Sequence, residues 1–257
     1  MTRSTSSATR PVLEVAAGSV ASALAAQAGG ADRIELCANL DEGGTTPSHG
    51  TLAVTRDRVR IPIHAIIRPR AGDFCYDTPD VGVMLRDIET CVTLGLDGVV
   101  IGALDVNGDI DERTCRAMIE AAAPLAVTFH RAFDVVRDRH AALETIIALG
   151  CERVLTSGGA ATALAGAEQI AAAVQQAGAR IRVMAGAGIT PGNIADVARR
   201  SGAHEFHGSA RALRASASRY HADPLPGLES DWMETDVAIV RAMVRALDRG
   251  HASRDAS

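Results

Sequence analysis

The segment IRVMAGAGITPGNIADVARRSGAHEFHG, residues 181–208, contains one complete strand–helix–strand unit. Its β-branched start predicts a strand at residues 181–185, and a glycine-rich turn follows. Residues 191–200 have the apolar spacing of a helix that begins at a proline, and residues 205–208 predict the next strand. Units of this kind build parallel sheets, because the helix carries the chain back to the start of the next strand.

The same unit recurs towards the N-terminus. Six more strands are predicted at residues 12–17, 33–38, 62–68, 98–102, 125–130 and 153–156. The other predicted helices occupy residues 19–28, 51–59, 80–94, 111–122, 139–149 and 162–177, and a closing helix occupies residues 233–247. Eight strands in strict alternation with helices predict an α/β fold, a single (β/α)8 TIM-type barrel with a C-terminal closing helix. A doubly wound open sheet is the alternative, although no G-x-G-x-x-G follows the first strand.

One domain is expected to contain the whole pattern. We place the barrel at residues 11–250, after a disordered tail at residues 1–10 and before a frayed tail at residues 251–257. The part that follows Arg211 and includes the proline-rich residues 223–227 is expected to be irregular.

Composition excludes several classes of function. The 257 residues are 47% hydrophobic and 22% charged, which is typical of a packed globule. A net charge of −5 argues against sequence-independent binding of nucleic acid, which needs a basic surface. The chain has no lysine, so a Schiff-base lysine and a P-loop lysine are both excluded.

The cysteines indicate a reducing compartment. Their number is odd and their spacing is wide, which argues against a disulfide framework and a structural zinc site; they are Cys37, Cys75, Cys91, Cys115 and Cys151. The first ten residues are polar and lack the apolar core of a secretory signal, and no apolar run approaches the ~18 residues of a membrane span. We therefore expect a cytoplasmic protein without a membrane partner. Its alanine-rich helix faces allow a homodimer without requiring one.

Polar residues alternate along the predicted strands, where side chains point in turn to the barrel interior and to the helices. The interior candidates are Glu14, Arg33, Glu35, Cys37, His64, Arg68, Thr128, His130, Glu205, His207 and Ser209. So many ionisable groups favour a polar site over an inert core, especially because several lie at carboxyl ends of strands, where barrel enzymes keep their sites. Buried structural pairs such as Arg33–Glu35 or Arg68–Glu205 are the alternative.

The loops extend this candidate site. We assign acid–base roles to Glu35, His130, Asp134, Glu205 and His207, with Asp134 or Glu35 setting the tautomer of His130. The arginines after the third strand are a candidate clamp for a carboxylate or phosphate, and the glycine-rich turns after strands seven and eight are candidate phosphate sites. Substrate-binding candidates are Arg33, Arg68, Arg70, Asp73, Arg131, Thr156, Ser157, Gly186, Gly188, Ser209 and Arg211.

These residues also carry a family resemblance. The sequence between about residues 11 and 211 resembles the CutC family at residues 14–15, 30–37, 42–48, 67–70, 72–74, 127–134, 154–158, 205–207 and 209–211. The resemblance implies a cytoplasmic TIM-type barrel that acts in copper homeostasis and binds copper. It also implies two copper-binding cysteines that face each other on strands one and two. Here the second is Cys37, whereas Ala16 occupies the first position.

Three hypotheses about function follow. The first is a CutC-type copper-homeostasis protein in which Cys37 is the metal ligand and copper binding is weakened by Ala16. The second is a barrel enzyme, a lyase, isomerase or hydrolase, that acts on an anionic phosphorylated or carboxylated small molecule. The third is a scaffold whose polar interior is structural. The first two are compatible, and the sequence leaves open whether the chain is an enzyme.

Overall fold

The computed structural model describes residues 10–220, 225 and 228–255, with side chains described up to residue 250. The predicted N-terminal tail, apart from Arg10, lies outside this range. So do most of the proline-rich stretch at residues 223–227 and residues 256–257 of the predicted C-terminal tail.

Eight strands form the predicted closed barrel. They are β1 (Val12–Ala17), β2 (Arg33–Leu36), β3 (Ile63–Ile66), β4 (Gly98–Ile101), β5 (Ala126–Phe129), β6 (Arg153–Thr156), β7 (Arg182–Gly186) and β8 (Glu205–Gly208). Each strand pairs in parallel with its neighbours in sequence, and β1 pairs with β8 to close the sheet. The α/β TIM-type barrel is confirmed, and the open sheet is wrong.

The helices surround this sheet. They are α1 (Val20–Gly29), α2 (His49–Arg58), α3 (Thr78–Thr93), α4 (Glu112–Ala122), α5 (Arg139–Leu149), α6 (Ala167–Ala177), α7 (Ile194–Ser201) and α8 (Val237–Asp255). Short 3-10 helices lie at Leu40–Glu42 and Arg131–Val135. Among the described residues, no helix combines the length and the apolar character needed to cross a lipid bilayer.

The side chains of β1 point alternately to two buried regions, the core between strands and helices and the barrel interior. Leu13 and Val15 are buried in the main apolar core between strands and helices, whereas Glu14 and Ala16 occupy the other face of the strand. The apolar core between strands and helices provides the hydrophobic stabilisation, so the barrel interior can hold polar groups.

Close packing of α1 against α8 completes the wall. A Cβ at Gly29 would lie only 2.4 Å from the Cβ of Val240, so this contact requires glycine. Ser19 caps α1 by accepting a hydrogen bond from the N–H of Ser22. The helix therefore begins where the sequence predicted it.

Three helices begin at least three residues later than predicted, whereas the other starts agree within two residues. Residues 232–235 form a strand, β10 (Trp232–Thr235), paired antiparallel with β9 (Arg211–Arg214), so the closing helix begins only at Val237. Helix α7 begins at Ile194 rather than at Pro191, because the side chain of Asn193 accepts the N–H of Thr190 and forms a turn first. Helix α6 starts late as well, since the N–H of Ala163 donates to the carbonyl of Ala187.

Candidate functional site

A closed ion-pair network fills the part of the interior near the amino ends of the strands. Glu14 is fully buried and bonds the Nε of Arg33. Arg33 also donates to Glu205 at 2.8 Å, and Arg153 donates to the same carboxylate oxygen at 2.8 Å and to Thr128 at 3.2 Å. Burial raises the pKa of both carboxyl groups, but the guanidinium charges more than offset it and hold both pKa values below the usual range. The network is therefore charge-balanced.

This arrangement corrects the pairs considered from the sequence. Arg33 bonds Glu14 and Glu205 rather than Glu35, and Glu205 bonds Arg33 and Arg153 rather than Arg68. Neither Arg33 nor Glu205 lines the cavity described below. The geometry gives these two residues a structural place, away from the assigned binding and acid–base roles.

A histidine–glutamate pair lies directly above the network. Nδ1 of His207 is 2.8 Å from Glu14, and Nε2 is 3.7 Å from a carboxylate oxygen of Glu35. Burial raises the pKa of Glu35 to about 7, while the charge of His207 opposes this rise. Burial would lower the pKa of His207, but the two carboxylates raise it overall. Each side chain of the pair therefore keeps its proton to a higher pH than the free group does.

A cavity of about 690 Å³ opens at the carboxyl ends of the strands above this pair. Both Glu35 and His207 line it. Its other charged or titratable lining residues are Glu42, Arg68, His130, Arg131, Asp134 and Arg211. The position and volume match those of small-molecule sites in barrel enzymes.

His130 has a different role from the predicted one. Its Nδ1 accepts a hydrogen bond from the N–H of Ala132 at 3.1 Å, so neither Asp134 nor Glu35 sets its tautomer. Burial, and then the charge of Arg68, lower its pKa to about 3. The imidazole is neutral at physiological pH, and general acid–base catalysis by His130 is disfavoured.

Asp134 links the loops that follow β5 and β6, at the mouth of the barrel. Its carboxylate accepts from the hydroxyl of Thr156 at 2.6 Å, from Ser157 through both hydroxyl and N–H, and from the N–H of Gly159 at 3.1 Å. Arg131 adds an ion pair at 2.7 Å. Because these donors already occupy the carboxylate, Asp134 positions the loops after β5 and β6 rather than acting as a base.

Arg68 lies buried in the wall of the cavity. Its guanidinium donates to the carbonyls of Glu42, Gly44 and Gly72 at 2.8–2.9 Å and lies 5.2 Å from the ring centre of Phe74. No carboxylate of the described residues forms an ion pair with it. A buried positive charge without a counter-charge is costly, so this side chain is the strongest candidate for binding an anion.

The neighbouring arginine of the predicted clamp points elsewhere. Arg70 pairs with Asp80 at 2.9 Å and Asp73 at 3.1 Å, and it donates to the carbonyl of Cys75 at 2.7 Å. Neither Arg70 nor Asp73 lines the cavity. The structure therefore does not bring the two arginines of the predicted clamp together, and of these two only Arg68 lines the cavity.

The turns after β7 and β8 form the opposite wall. Ala187 and Gly188 have φ values of 82° and 66°, and Ala210 has a φ of 48°. Positive φ at alanine is strained and places neighbouring N–H groups on one side of the turn. Within the described part of the chain, the N–H groups of Gly188, Ser209 and Ala210 have no hydrogen-bond acceptor.

Arg211 and Gly186 lie next to these turns, at the start of β9 and at the end of β7. Arg211 lines the cavity and pairs with Asp41, whose side chain is 81% exposed. Gly186 lies within β7 against Leu155 and does not line the cavity, and neither do Thr156 and Ser157.

Cys37 does not fit a Cu(I) site. It is buried with Ala16, and its thiol donates to the carbonyl of Ala17 at 3.5 Å. Burial, reinforced by Glu35, raises its pKa well above the ordinary value, so the thiol stays protonated. Cu(I) prefers at least two soft ligands, and Ala16 offers none. Cys75, the other cysteine of the mouth loops, donates to a backbone carbonyl at 3.2 Å and does not line the cavity.

Glu14, Glu35 and His207 form the one cluster among the described residues that could hold a metal ion, with one atom of each within 4.8 Å of the others. Both oxygens of Glu14 are already engaged, by Arg33 and by His207. Glu35 and the Nε2 of His207 are then the ligand atoms of this cluster that remain for a metal ion.

Sequence reasoning placed Glu14 in the interior without a role and missed two further contributors, Arg153 and Phe74. Glu14 and Arg153 complete the network through pairing across strands, and Phe74 covers Arg68 and His130. The alternation of β1 does place Glu14 inside, but no pattern along the chain shows which residue it supports.

Comparison with known proteins agrees with this fold. The sequence model of the CutC family matches residues 12–212. A protein named family protein CutC from Xanthomonas axonopodis pv. citri is 56% identical over 92% of this chain and 99% of its own. One from Chromobacterium violaceum is 52% identical over 93% and 98%.

A solved structure extends the comparison. It is a CutC from Streptococcus agalactiae that carries a provisional copper-homeostasis name, and it is 31% identical with a TM-score of 0.74, covering 77% of this chain and 98% of that one. The family match spans most of the chain and includes every strand of the barrel. This chain therefore belongs to the CutC family.

Proposed function

We propose that this chain is a cytoplasmic copper-homeostasis protein of the CutC type, and that its molecular task is to bind an anionic small molecule at the barrel mouth and to move a proton on it. Membership of the CutC family supports the cellular role. The five free cysteines agree with a reducing compartment. The observation that carries the molecular task is the Glu35–His207 pair facing the cavity.

Glu35 has the properties of a catalytic base. Its carboxylate is buried, and its contact with His207 is too long for a hydrogen bond. A pKa of about 7 leaves a substantial ionised fraction at neutral pH while keeping the group basic. His207 is held by Glu14 through Nδ1, so its Nε2 faces Glu35 and can receive or return the proton.

The anionic group of the ligand would lie against the turns after β7 and β8. Gly188, Ser209 and Ala210 offer N–H groups there that have no acceptor within the described part of the chain, and Arg211 lies beside them. Because the partner of Arg211 is an exposed aspartate, the arginine can turn to the ligand at little cost. Phosphate is the anion that such turns bind most often in barrels.

The first experiment tests the molecular task. Thermal shift against phosphorylated and carboxylated metabolites should find stabilising ligands, and amide NMR with methyl phosphate should shift Gly188 and Ser209. Arg211→Gln should weaken this binding by about tenfold, since a charged hydrogen bond contributes about 1.5–3 kcal/mol. Arg86→Gln, on an exposed face of α3, is the matched control. Absence of any binding would refute the proposed task.

Direct Cu(I) binding is the second candidate, favoured by family membership. Cu(I) is titrated into the reduced protein against a chromogenic chelator, with Cys37→Ser and Ala16→Cys beside the parent chain. We expect weak or no competition from the parent and strong competition from Ala16→Cys, because it adds a second thiol to the cluster of Cys37. If the parent chain competed strongly and Cys37→Ser did not, direct Cu(I) binding would become the better supported function.

A further inference from the structure

The wall of the cavity between β3 and β5 contains an uncompensated positive charge. Arg68 is 5% exposed, and its described hydrogen bonds go to neutral carbonyls. The guanidinium also lies against the hydroxyl of Tyr76, and no carboxylate among the described residues pairs with it. Tyr76 supplies no negative charge, because burial raises the pKa of its hydroxyl to about 12 against the charge of Arg68. A buried guanidinium in this state has unused capacity for an anion.

A neutral hydrogen-bond donor lies beside it. Since Nδ1 of His130 accepts the N–H of Ala132, the ring carries its proton on Nε2. That nitrogen is buried and has no partner among the described residues. Leaving a buried donor unsatisfied is unfavourable, and a bound acceptor would remove that penalty.

One aromatic side chain covers both groups. The ring of Phe74 has its centre 5.0 Å from that of His130 and 5.2 Å from the Cζ of Arg68. Phe74 is only partly buried, lines the cavity, and follows Gly72, whose φ is +89°. The cover is therefore a partly buried side chain of the loop after β3, which packs against the core and also lines the cavity.

We propose that Arg68 and His130 together bind a carboxylate of the ligand, and that Phe74 is displaced or tilted when the carboxylate enters. This inference rests on the proposed function and gives it a substrate class, an anion that carries a carboxylate opposite the turns of β7 and β8. The guanidinium supplies the charge, and the neutral imidazole donates from Nε2 to one oxygen. In this role His130 contacts the ligand without titrating.

Pyruvate is the probe, and the side-chain ¹⁵N resonances of His130 are the readout. Pyruvate should shift the Nε2–H signal while the ring stays in the same tautomer. Arg68→Gln should weaken binding by about tenfold or more, as expected for loss of a charged hydrogen bond. Phe74→Ala should tighten binding several-fold, because the cover is absent.

Two further measurements keep the outcomes distinct. Because Arg68 also joins three loop carbonyls, Arg68→Gln is checked by its unfolding transition, and Phe74→Ala provides an independent arm if that variant does not fold. Methyl phosphate is titrated in parallel. If it shifts Gly188 and Ser209 while pyruvate leaves His130 unchanged in both the parent chain and Phe74→Ala, the carboxylate assignment is overturned and the proposed function stands. If neither probe binds, both fail.

Discussion

Two layers of the barrel interior contain the same kinds of residue and differ in how completely they are paired. In the lower layer, Glu14, Arg33, Glu205 and Arg153 satisfy one another. In the upper layer, Arg68 has no carboxylate partner among the described residues and His130 leaves Nε2 unbonded. Pairing fixes a charge in place, whereas an unpaired buried group remains available to a ligand.

The two buried glutamates near the interface of these layers show the same contrast. Glu14 bonds Arg33, and its pKa falls well below the usual range despite burial. Glu35 has no such partner, and burial raises its pKa to about 7. The two strands are neighbours, so the difference arises from the register, which brings Arg33 opposite Glu14. The contact with one guanidinium thus separates the pKa of Glu14 from that of Glu35.

The largest effect is expected in the lower layer. Arg33→Met leaves the buried carboxylate of Glu14 without its guanidinium and removes one of two from Glu205. Breaking a buried pair in this way costs about 3–5 kcal/mol. Denaturant unfolding measures the loss, with the exposed Arg86→Met as the control. A loss below about 1 kcal/mol would show that the network does not hold the barrel together.

A smaller loss is expected where the two mouth loops meet. Asp134→Asn keeps the size of the side chain but removes the charge that accepts from Thr156, Ser157 and Gly159. We expect a destabilisation of about 2–3 kcal/mol, the range for hydrogen bonds to a charged group. Amide hydrogen exchange at residues 157–160 should rise as well. Unchanged exchange there would contradict the positioning role.

In the upper layer, by contrast, we expect a substitution to stabilise the protein. The folded-state pKa of Glu35 lies near 7, above the ordinary value of 4.5, so folding loses stability as pH rises between these values. Glu35→Gln removes the ionisable group and should stabilise the protein by about 1–3 kcal/mol at pH 8, with little gain at pH 5. Denaturant unfolding at both pH values measures this difference.

Glu89→Gln on the exposed face of α3 serves as the control for Glu35→Gln. Equal stability changes at both pH values would mean that Glu35 does not carry a raised pKa. Proton transfer on a ligand should be lost in Glu35→Gln although the fold is more stable, because a functional residue need not be a stabilising one.

The fold was largely readable from the sequence, because seven of the eight barrel strands contain β-branched residues and segments with helical apolar spacing separate them. Residues 153–156 and 205–208 were predicted with their observed bounds. The start of the closing helix was wrong, since Met233 fits the helical period but pairs with Leu213 in a hairpin. That pairing forms because the chain turns back on itself, and a local pattern of apolar residues does not show such a turn.

The sequence predicted where the site lies in the barrel, but it did not predict which contacts the site residues make. Alternation along the strands placed Glu35, His130 and His207 at the mouth, where they line the cavity. It did not show that His130 accepts from Ala132 or that Arg33 bonds Glu14. Those choices are set by register and by loop geometry, and both bring together residues distant in sequence.

The smallest effect is expected at Arg70, two residues from Arg68 and the same type of side chain. Arg70 is 40% exposed and pairs with Asp73 and Asp80 outside the cavity. Arg70→Ala should cost less than about 1 kcal/mol, as for other exposed pairs, and leave pyruvate binding unchanged. Denaturant unfolding and the His130 ¹⁵N titration measure the two quantities. If Arg70→Ala weakened binding as much as Arg68→Gln, then the net charge of the loop, rather than burial without a partner, would attract the ligand. The distinction between paired and unpaired arginines would then lose its functional meaning.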